Sequence, residues 1–335
     1  MTHSRKRVDT HQDEHSFRIG EVTLGALHSD GGTRRSTITI GGEISLPFRS
    51  YCDNKNLKYP VTMDCFDTPI KTTNEIKKHF EDIWGDPAEC AKRCVEKYNA
   101  DMVTIHLIST DPFIKDTSPS EAAKTVENVL QAVDVPIVIG GSGNPGKDPE
   151  VLERAAQVSE GERVLLASAN LNMDWKRIGR AARTYGHVIL SWTQMDFHAQ
   201  RALNKKLLDL GIPSDRIIMD PTTAALGYGL EYAISNIERI KIAAMKGDSL
   251  LQMPISAGVT NSWGSREAWM NNDDWGLKSV RGPLWEFTTG VSLLLSGVNI
   301  FMMLHPTSVS LFQKARNYFL HEEVPSMNYY EWIKA

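Results

Sequence analysis

The stretch Arg216–Tyr232 reads RIIMDPTTAALGYGLEY. Ile217 to Asp220 is apolar until its last position, the pattern of a short buried strand that ends in a carboxylate. Pro221 stops that strand, because proline has no N–H to give to a ladder. Gly227 and Gly229 flank Tyr228 in the next loop, and Glu231 opens a helix-like run to Lys246. A carboxylate at the C-terminal end of a buried strand, then a Gly-containing loop and a helix, marks where parallel α/β proteins keep their chemistry. Asp220 suits a second role equally well, capping the loop by accepting nearby N–H groups. The sequence leaves both open.

Other chemistry-bearing residues are less organised. Cys90 and Cys94 stand four apart on one face of an expected helix, a spacing open to a metal. They are expected instead as reduced thiols packed on its inner face. With Cys52 and Cys65 they make no Cys-x-x-Cys pair, so neither an iron–sulfur cluster nor another metal is expected on this chain. His106 and His305 have no partner ligands at metal spacing and are expected to be structural. Gly141-Ser142-Gly143-Asn144-Pro145-Gly146 fits the G-x-G-x-x-G pattern after a strand. However, Pro145 removes one N–H, and the next strand ends in Ser168-Ala169-Asn170 rather than in an acidic residue. A flexible rim loop is expected there, not a dinucleotide site.

Composition narrows the classes. The 335 residues carry a formal net charge of −4 with Lys and Arg scattered, so there is no basic footprint for nucleic acid. The N-terminus lacks an apolar signal core, and runs such as Val291–Leu295 and Ile300–Leu304 are too short to span a bilayer. A soluble, cytoplasmic chain with no membrane partner is the expectation.

The elements that must position these residues repeat one rhythm. Residues 1–16 are charged and aperiodic, a disordered tail. Residues 17–58 hold an N-terminal β-hairpin and its connection: Phe17–Leu27 and Thr33–Ile40 around Ser29-Asp30-Gly31-Gly32, closing one end of the next domain. Strands are then expected at Val61–Met63, Met102–Leu107, Ile137–Ile139, Val164–Ala167, His187–Leu190, Ile217–Met219, Leu250–Met253 and Val298–Leu304. Helices come after them at Pro87–Tyr98, Ser120–Ala132, Pro149–Ser159, Asp174–Tyr185, Phe197–Leu210, Glu231–Lys246, Gly282–Leu295 and Ser308–Leu320. Asp86, Ser118, Asp148 and Asp174 supply helix-opening chemistry. Eight such units over residues 59–320 predict a (β/α)8 TIM barrel, an α/β fold, with residues 321–335 as a tail.

A barrel puts its site at the C-terminal rim of the strands. That rim carries Asp64, Cys65 and Asp67, then Ser109, Thr110 and Asp111, then Gly140–Asn144. Ser168-Ala169-Asn170, Ser191-Trp192-Thr193-Gln194, Asp220, Thr222 and Thr223 continue it, with Pro254, Ser256, Gly258 and His305-Pro306 completing the circle. Small and hydroxylated residues dominate. The insertion Ser256–Val280 adds Trp263, Trp269 and Trp275, which suit either a large flat ligand or partner, or the pinning of the loop to the barrel.

Several ordered segments resemble a known family. They are Leu24-Gly25, Gly31-Gly32-Thr33-Arg34 and Gly41-Gly42, then Leu46-Pro47-Phe48 and Val129-Leu130-Gln131-Ala132-Val133. Asp220-Pro221 with Leu226–Tyr232, Glu238-Arg239-Ile240, Met253-Pro254, Arg281–Glu286 and Met303–Pro306 complete the set. From about Val22 to Gln313 the chain resembles the small subunit of the corrinoid iron–sulfur protein, the delta subunit of acetyl-CoA decarbonylase/synthase in methanogens.

The resemblance implies a heterodimer with a large corrinoid iron–sulfur protein subunit that owns the iron–sulfur cluster. A corrinoid (cobalamin) would be shared between the two, its cobalt carrying a methyl group between methyl-tetrahydropterin and acetyl-CoA synthase. Further partners implied are a methyl-tetrahydropterin methyltransferase and CO dehydrogenase/acetyl-CoA synthase. The rim arc Ser168, Asn170, Ser191, Trp192, Thr193, Asp220, Thr222, Thr223, Gly227 and Tyr228 is then the expected corrinoid contact, with no catalytic residue of its own. Hydroxyl and amide groups bond the corrin's side-chain amides, and an indole lies against the ring. An autonomous pterin-dependent methyltransferase or pterin-binding barrel enzyme is the alternative.

Overall fold

The computed structural model describes residues 18–45 and 57–320. The expected tails, Leu46-Pro47-Phe48 and Cys52 lie outside the described residues. Strands β1 (Glu21–Leu24) and β2 (Ile38–Gly41) pair antiparallel, with Val22 opposite Ile40. Eight parallel strands come next: β3 (Val61–Phe66), β4 (Met102–His106), β5 (Ile137–Gly140), β6 (Leu165–Ala169), β7 (Val188–Trp192), β8 (Ile217–Asp220), β9 (Ser256–Gly258) and β10 (Ile300–Met303). Their order is β8-β7-β6-β5-β4-β3-β10-β9. A parallel bridge between Met219 and Ile255, with the Met219 N–H donating to Pro254 O at 2.8 Å, brings β8 against β9 and nearly closes the barrel.

Ten helices lie among the described residues: α1 (Asn74–Lys77), α2 (Pro87–Glu96), α3 (Pro119–Ala132), α4 (Asp148–Val158), α5 (Trp175–Thr184), α6 (Phe197–Asp209), α7 (Leu230–Met245), α8 (Arg266–Trp269), α9 (Lys278–Ser296) and α10 (Pro306–Leu320). Asp86, Ser118 and Asp174 open their helices as expected, whereas Asp148 lies inside α4 and turns its carboxylate to the preceding loop instead of capping. Asp86 accepts from Ala88 and Glu89 N–H at 3.1 Å each, and Ser118 with Glu121 forms a capping box. None of these helices is long and apolar enough to cross a membrane.

Alternation along the strands divides the core in two. Met102, Val138, Leu165, Val188, Ile218 and Ile300 face the barrel interior, where Val22, Leu24, Ile38 and Ile40 of the hairpin meet them. Met63, Cys65, Val103, Ile105, Ile139, Leu166, Ile189 and Met219 face the helices. Each fully buried side chain of this kind contributes about 1.5–3 kcal/mol of transfer free energy. The hairpin closes the N-terminal end of the barrel: Gly20, Gly25 and Arg35 N–H groups donate to Gln252, Arg163 and Asp134 carbonyls, all of which lie just before strands.

Two glycines are required there by close approach. A Cβ at Gly32 would lie 2.3 Å from Ala26 O, and one at Gly41 would lie 2.1 Å from Gly20 O. The buried Arg34 then ties hairpin to barrel, its Nε 2.7 Å from Glu162 Oε2 and its Nη2 donating to Leu130 O at 2.8 Å.

The turn expected at Ser29–Gly32 forms as a 3-10 turn at His28–Asp30, followed by Gly31 at φ 85°. Two sequence expectations change. The seventh barrel strand is Ser256–Gly258 rather than Leu250–Met253. Asp248 accepts the Leu250 N–H at 3.2 Å and winds Ser249–Leu251 into a 3-10 turn, so Leu251 and Met253 are buried without joining the ladder. Strand β3 runs to Phe66, beyond the expected Met63, which places Asp64 and Cys65 inside the strand on opposite faces.

Candidate functional site: the C-terminal rim of strands β6 to β8

Trp192 and Asp220 are the last residues of β7 and β8 and are paired in register. Both come two positions after inward-facing residues, so both face the mouth of the barrel. The Trp192 indole N–H donates to Thr222 Oγ1 at 2.8 Å, and that hydroxyl donates to Thr193 O at 2.7 Å. Thr222 sits at φ 65°, a left-handed conformation costly for a β-branched residue. Asp220 Oδ1 holds it there by accepting the Thr222 N–H at 2.9 Å. Burial raises the Asp220 carboxyl to about 7, and the Thr222 bond opposes the rise. The residue is part-exposed, so water offsets some of that burial cost.

Beside this pair, a groove of about 200 Å³ is lined by Asn170, Asn172, Trp192, Thr193, Gln194 and Asp196, among others. Asn170 is buried and its Oδ1 accepts the Asn172 N–H at 2.8 Å, shaping the loop after β6. Ser168 lies in β6 where the pairing with β7 shifts register between Leu166 and Ala169.

Not every expected rim residue points into the mouth. Ser191 is fully buried against α6, donating to Asn204 Oδ1 at 2.7 Å and accepting from Gln200 Nε2 at 2.8 Å. Thr193 likewise gives its hydroxyl to Gln200 Oε1 at 2.8 Å. Alternation sends position 191 outward once 190 and 192 face in. Thr223 is buried, and its carbonyl accepts from Asn261 Nδ2 at 3.0 Å. Further along the loop, Tyr228 is about half exposed and its hydroxyl accepts the Arg266 N–H at 3.2 Å, tying the loop to α8. Gly227 lies near Trp285, whose indole N–H donates to Leu226 O at 3.0 Å.

The structure adds a polar group inside the barrel that linear reading did not assemble. Asp64 Oδ1 and His106 Nε2 face each other at 3.0 Å, and Thr260 donates its hydroxyl to Asp64 Oδ2. Phe66 stacks on His106 with ring centroids 4.9 Å apart. The signal available was the i, i+2 alternation Thr62-Asp64-Phe66, hidden because the strand was expected to stop at Met63.

The Gly-rich loop is fixed rather than flexible. Asp148 accepts from Ser142 N–H at 2.9 Å, Gly143 N–H at 2.8 Å and Ser142 Oγ at 2.8 Å. The chain's own carboxylate therefore fills the amide cradle that a phosphate would need. Trp263 is buried and stacks on His305 at 5.5 Å, pinning its loop, whereas Trp269 and Trp275 are 41 and 40 % exposed. Pinning of the loop to the barrel is therefore the role seen at Trp263.

Residues 21–317 match the family model described as CO dehydrogenase/acetyl-CoA synthase delta subunit. The chain is 52 % identical over 320 residues to the acetyl-CoA decarbonylase/synthase complex subunit delta of Archaeoglobus fulgidus, covering 93 % of this chain and 71 % of that protein. It is 50 % identical over 319 residues to the same subunit of Methanocaldococcus jannaschii, covering 94 % and 78 %. Solved structures of similar fold include dihydropteroate synthase from Thermus thermophilus in complex with 6HMPPP, at TM-score 0.54 and 16 % identity over 88 % of this chain and 100 % of that one. Xanthomonas albilineans dihydropteroate synthase with 4-aminobenzoic acid gives TM-score 0.55 at 11 % identity over 88 % and 99 %. These last two show the TIM-barrel fold alone. From the hairpin to α10, then, the chain belongs to the family of CO dehydrogenase/acetyl-CoA synthase delta subunits.

Proposed function

We propose that this delta subunit holds a corrinoid at its interface with a large corrinoid iron–sulfur protein subunit, in a cytoplasmic complex. When bound, the corrinoid would supply a cobalt centre able to carry a methyl group between methyl-tetrahydropterin and acetyl-CoA synthase. The observation that carries this reading is the anchored indole of Trp192, held by the strained Thr222 beside an open groove. Asn170 and Thr193 line that groove, and the indole offers an apolar face beside them. A groove of about 200 Å³ is well below what a drug-sized ligand fills. It suits one edge of a large flat ligand, the remainder being covered by a partner.

The chain's own residues bind and orient. Trp192 covers an apolar surface, Asn170 offers an amide, and Asp220 with Thr222 fixes the loop that frames them. Ser191 takes a supporting part, since its hydroxyl locks β7 to α6. The iron–sulfur cluster is assigned to the partner, because the three described cysteines of this chain crowd within 4.8 Å of one another, too close to bracket a cluster.

Titration of cobalamin absorbance tests the reading, with the isolated chain and with the complex containing the large subunit. Tight retention is expected only in the complex, weakened by Trp192→Ala. Equal affinity for the isolated chain overturns the shared interface. A second reading, an autonomous pterin-dependent methyltransferase, draws on the inward-facing carboxylates Asp64 and Asp220. Methyl transfer from methyl-tetrahydropterin to free cobalamin by the isolated chain, lost in Asp64→Asn, would establish it instead.

A further inference from the structure

Strand β3 and helix α2 bring three thiols together on the outer wall of the barrel, near the C-terminal end of β3. Cys65 projects from β3 toward the helices, while Cys90 and Cys94 occupy successive turns of the facing side of α2. Their sulfurs all lie within 4.8 Å of one another, with Cys65 Sγ and Cys94 Sγ 3.9 Å apart. All three are free of disulfides. Around a tetrahedral ion with metal–sulfur bonds of about 2.3 Å, sulfurs stand about 3.8 Å apart, so the Cys65–Cys94 separation matches one edge of such a site and the other two lie within reach of it.

Space for a small ligand lies on the Cys90 side of the cluster. A cavity of about 10 Å³, room for about one water, lies against Cys90 and is lined also by Thr68, Trp84 and Asp64. Trp84 Nε1 is buried with no hydrogen-bond partner among the described residues, a donor at that cavity awaiting an acceptor.

We infer that Cys65, Cys90 and Cys94 form a structural binding site for a single thiophilic cation of the Zn(II) class, with water or another small ligand in the fourth position. Three thiolates select a soft or borderline ion over Mg(II) or Ca(II). Charge favours a divalent ion over Cu(I). Three thiolates with Zn(II) leave one net negative charge, whereas Cu(I) leaves two, and the Asp64 carboxylate beside the cavity adds a further negative charge. On binding, three S–H protons pass to solvent as three metal–sulfur bonds form, with no change in oxidation state. The ion would clamp α2 to β3, the strand that carries Asp64 into the barrel.

The test uses the full chain, purified reduced and without oxygen, with Zn(II) and Co(II) as probes. His3, His11 and His15 in the N-terminal segment and Cys52 offer competing ligands, so cysteine variants decide the assignment. One equivalent of Zn(II) should survive dialysis, raise Tm and release protons. Co(II) should give a sulfur-to-metal charge-transfer band with tetrahedral d–d bands. Cys90→Ser, at the most accessible of the three positions, should weaken Zn(II) binding by more than the 10–100-fold that loss of a supporting group costs. Cys94→Ser should do the same and diminish the charge-transfer band. Retention of the full equivalent in both variants would place the ion elsewhere and overturn the inference. So would reduced wild-type chain whose Tm and thiol spectrum ignore both metals. Should Cys65→Ser fail to fold, the Cys90 and Cys94 variants still decide the question.

Discussion

Trp192 and Thr222 meet across the ends of β7 and β8, the indole N–H donating to the threonine hydroxyl at 2.8 Å. The bond depends on a threonine backbone at φ 65°, a conformation that glycine adopts without cost. Structure and binding can therefore be separated at one position. Thr222→Gly relieves a strain of about 1–3 kcal/mol while removing two side-chain hydrogen bonds of about 0.5–1.5 kcal/mol each. Urea unfolding should show stability within about 1 kcal/mol of wild type, while corrinoid retention by the complex falls several-fold. Unchanged retention would remove Thr222 from the site.

Trp192→Ala takes away the apolar cover itself. A buried aromatic anchor at a ligand interface costs on the order of 2 kcal/mol, about thirtyfold in affinity. Cobalamin release from the complex, monitored by absorbance, should accelerate accordingly. Asp220→Ala should loosen the loop more than it changes the rate of methyl transfer, because Asp220 acts by holding the Thr222 N–H.

Glu286 carries a pH signature. It is fully buried and accepts the Leu304 and His305 N–H groups at 2.6 and 3.0 Å, yet burial raises its carboxyl to about 7. A raised folded pKa means the native state holds a proton that the unfolded state has lost between about pH 4.5 and 7. Its stability contribution is therefore complete below the unfolded value and is lost as pH rises through about 7, on the order of 3 kcal/mol. Glu286→Gln should flatten this fall in Tm on the alkaline side. A parallel Tm curve for the variant would show that Glu286 does not titrate there. Glu286→Ala leaves two buried N–H groups without acceptors and should destabilise by about 2–5 kcal/mol at every pH.

His187 works in the opposite direction. It is buried, with Nε2 2.8 Å from Ala156 O, and burial lowers its pKa to about 4. The unfolded chain then binds the extra proton between about pH 6.5 and 4. Stability from the neutral ring is complete above about 6.5 and is lost as pH falls through about 4. Substitution by Gln should make acid unfolding shallower across that window, as read by fluorescence at fixed urea. An identical acid limb in the variant would count against a neutral native His187.

Arg34 tests the join between hairpin and barrel. Its truncation to Ala leaves Glu162 buried without its cation, at a cost of about 3–5 kcal/mol. Arg34→Met with Glu162→Leu removes both charges and should recover most of that loss in denaturant midpoint. Equal destabilisation by the single and double variants would mean that shape, not charge, holds the hairpin.

The sequence by itself determined the class of fold. Its short apolar runs, capped helix starts and Gly-rich hairpin are local signals, and local backbone preference suffices to read them. Asp86 and Ser118 open their helices as their side chains dictate, and Asp220 ends a buried strand. The ordered motifs from Leu24 to Pro306 were likewise enough to place the chain beside its family.

Facing and proximity were decided by tertiary structure. Side chains alternate at period two along a strand, so a boundary must be known before a face can be assigned. Strand β3 continues to Phe66, and this sends Asp64 to His106 and Cys65 to the thiols of α2. Ser191, read as a rim contact, turns to α6 because its neighbours face the interior. Asp148 folds back into the Gly-rich loop, a contact that the motif alone does not encode. Cys65 joins residues of helix α2, 25 and 29 positions along the chain, and no spacing rule written in sequence order anticipates it. Such sites are made when each strand packs against its neighbouring strand and its covering helix, which fixes which residues distant in sequence share a wall.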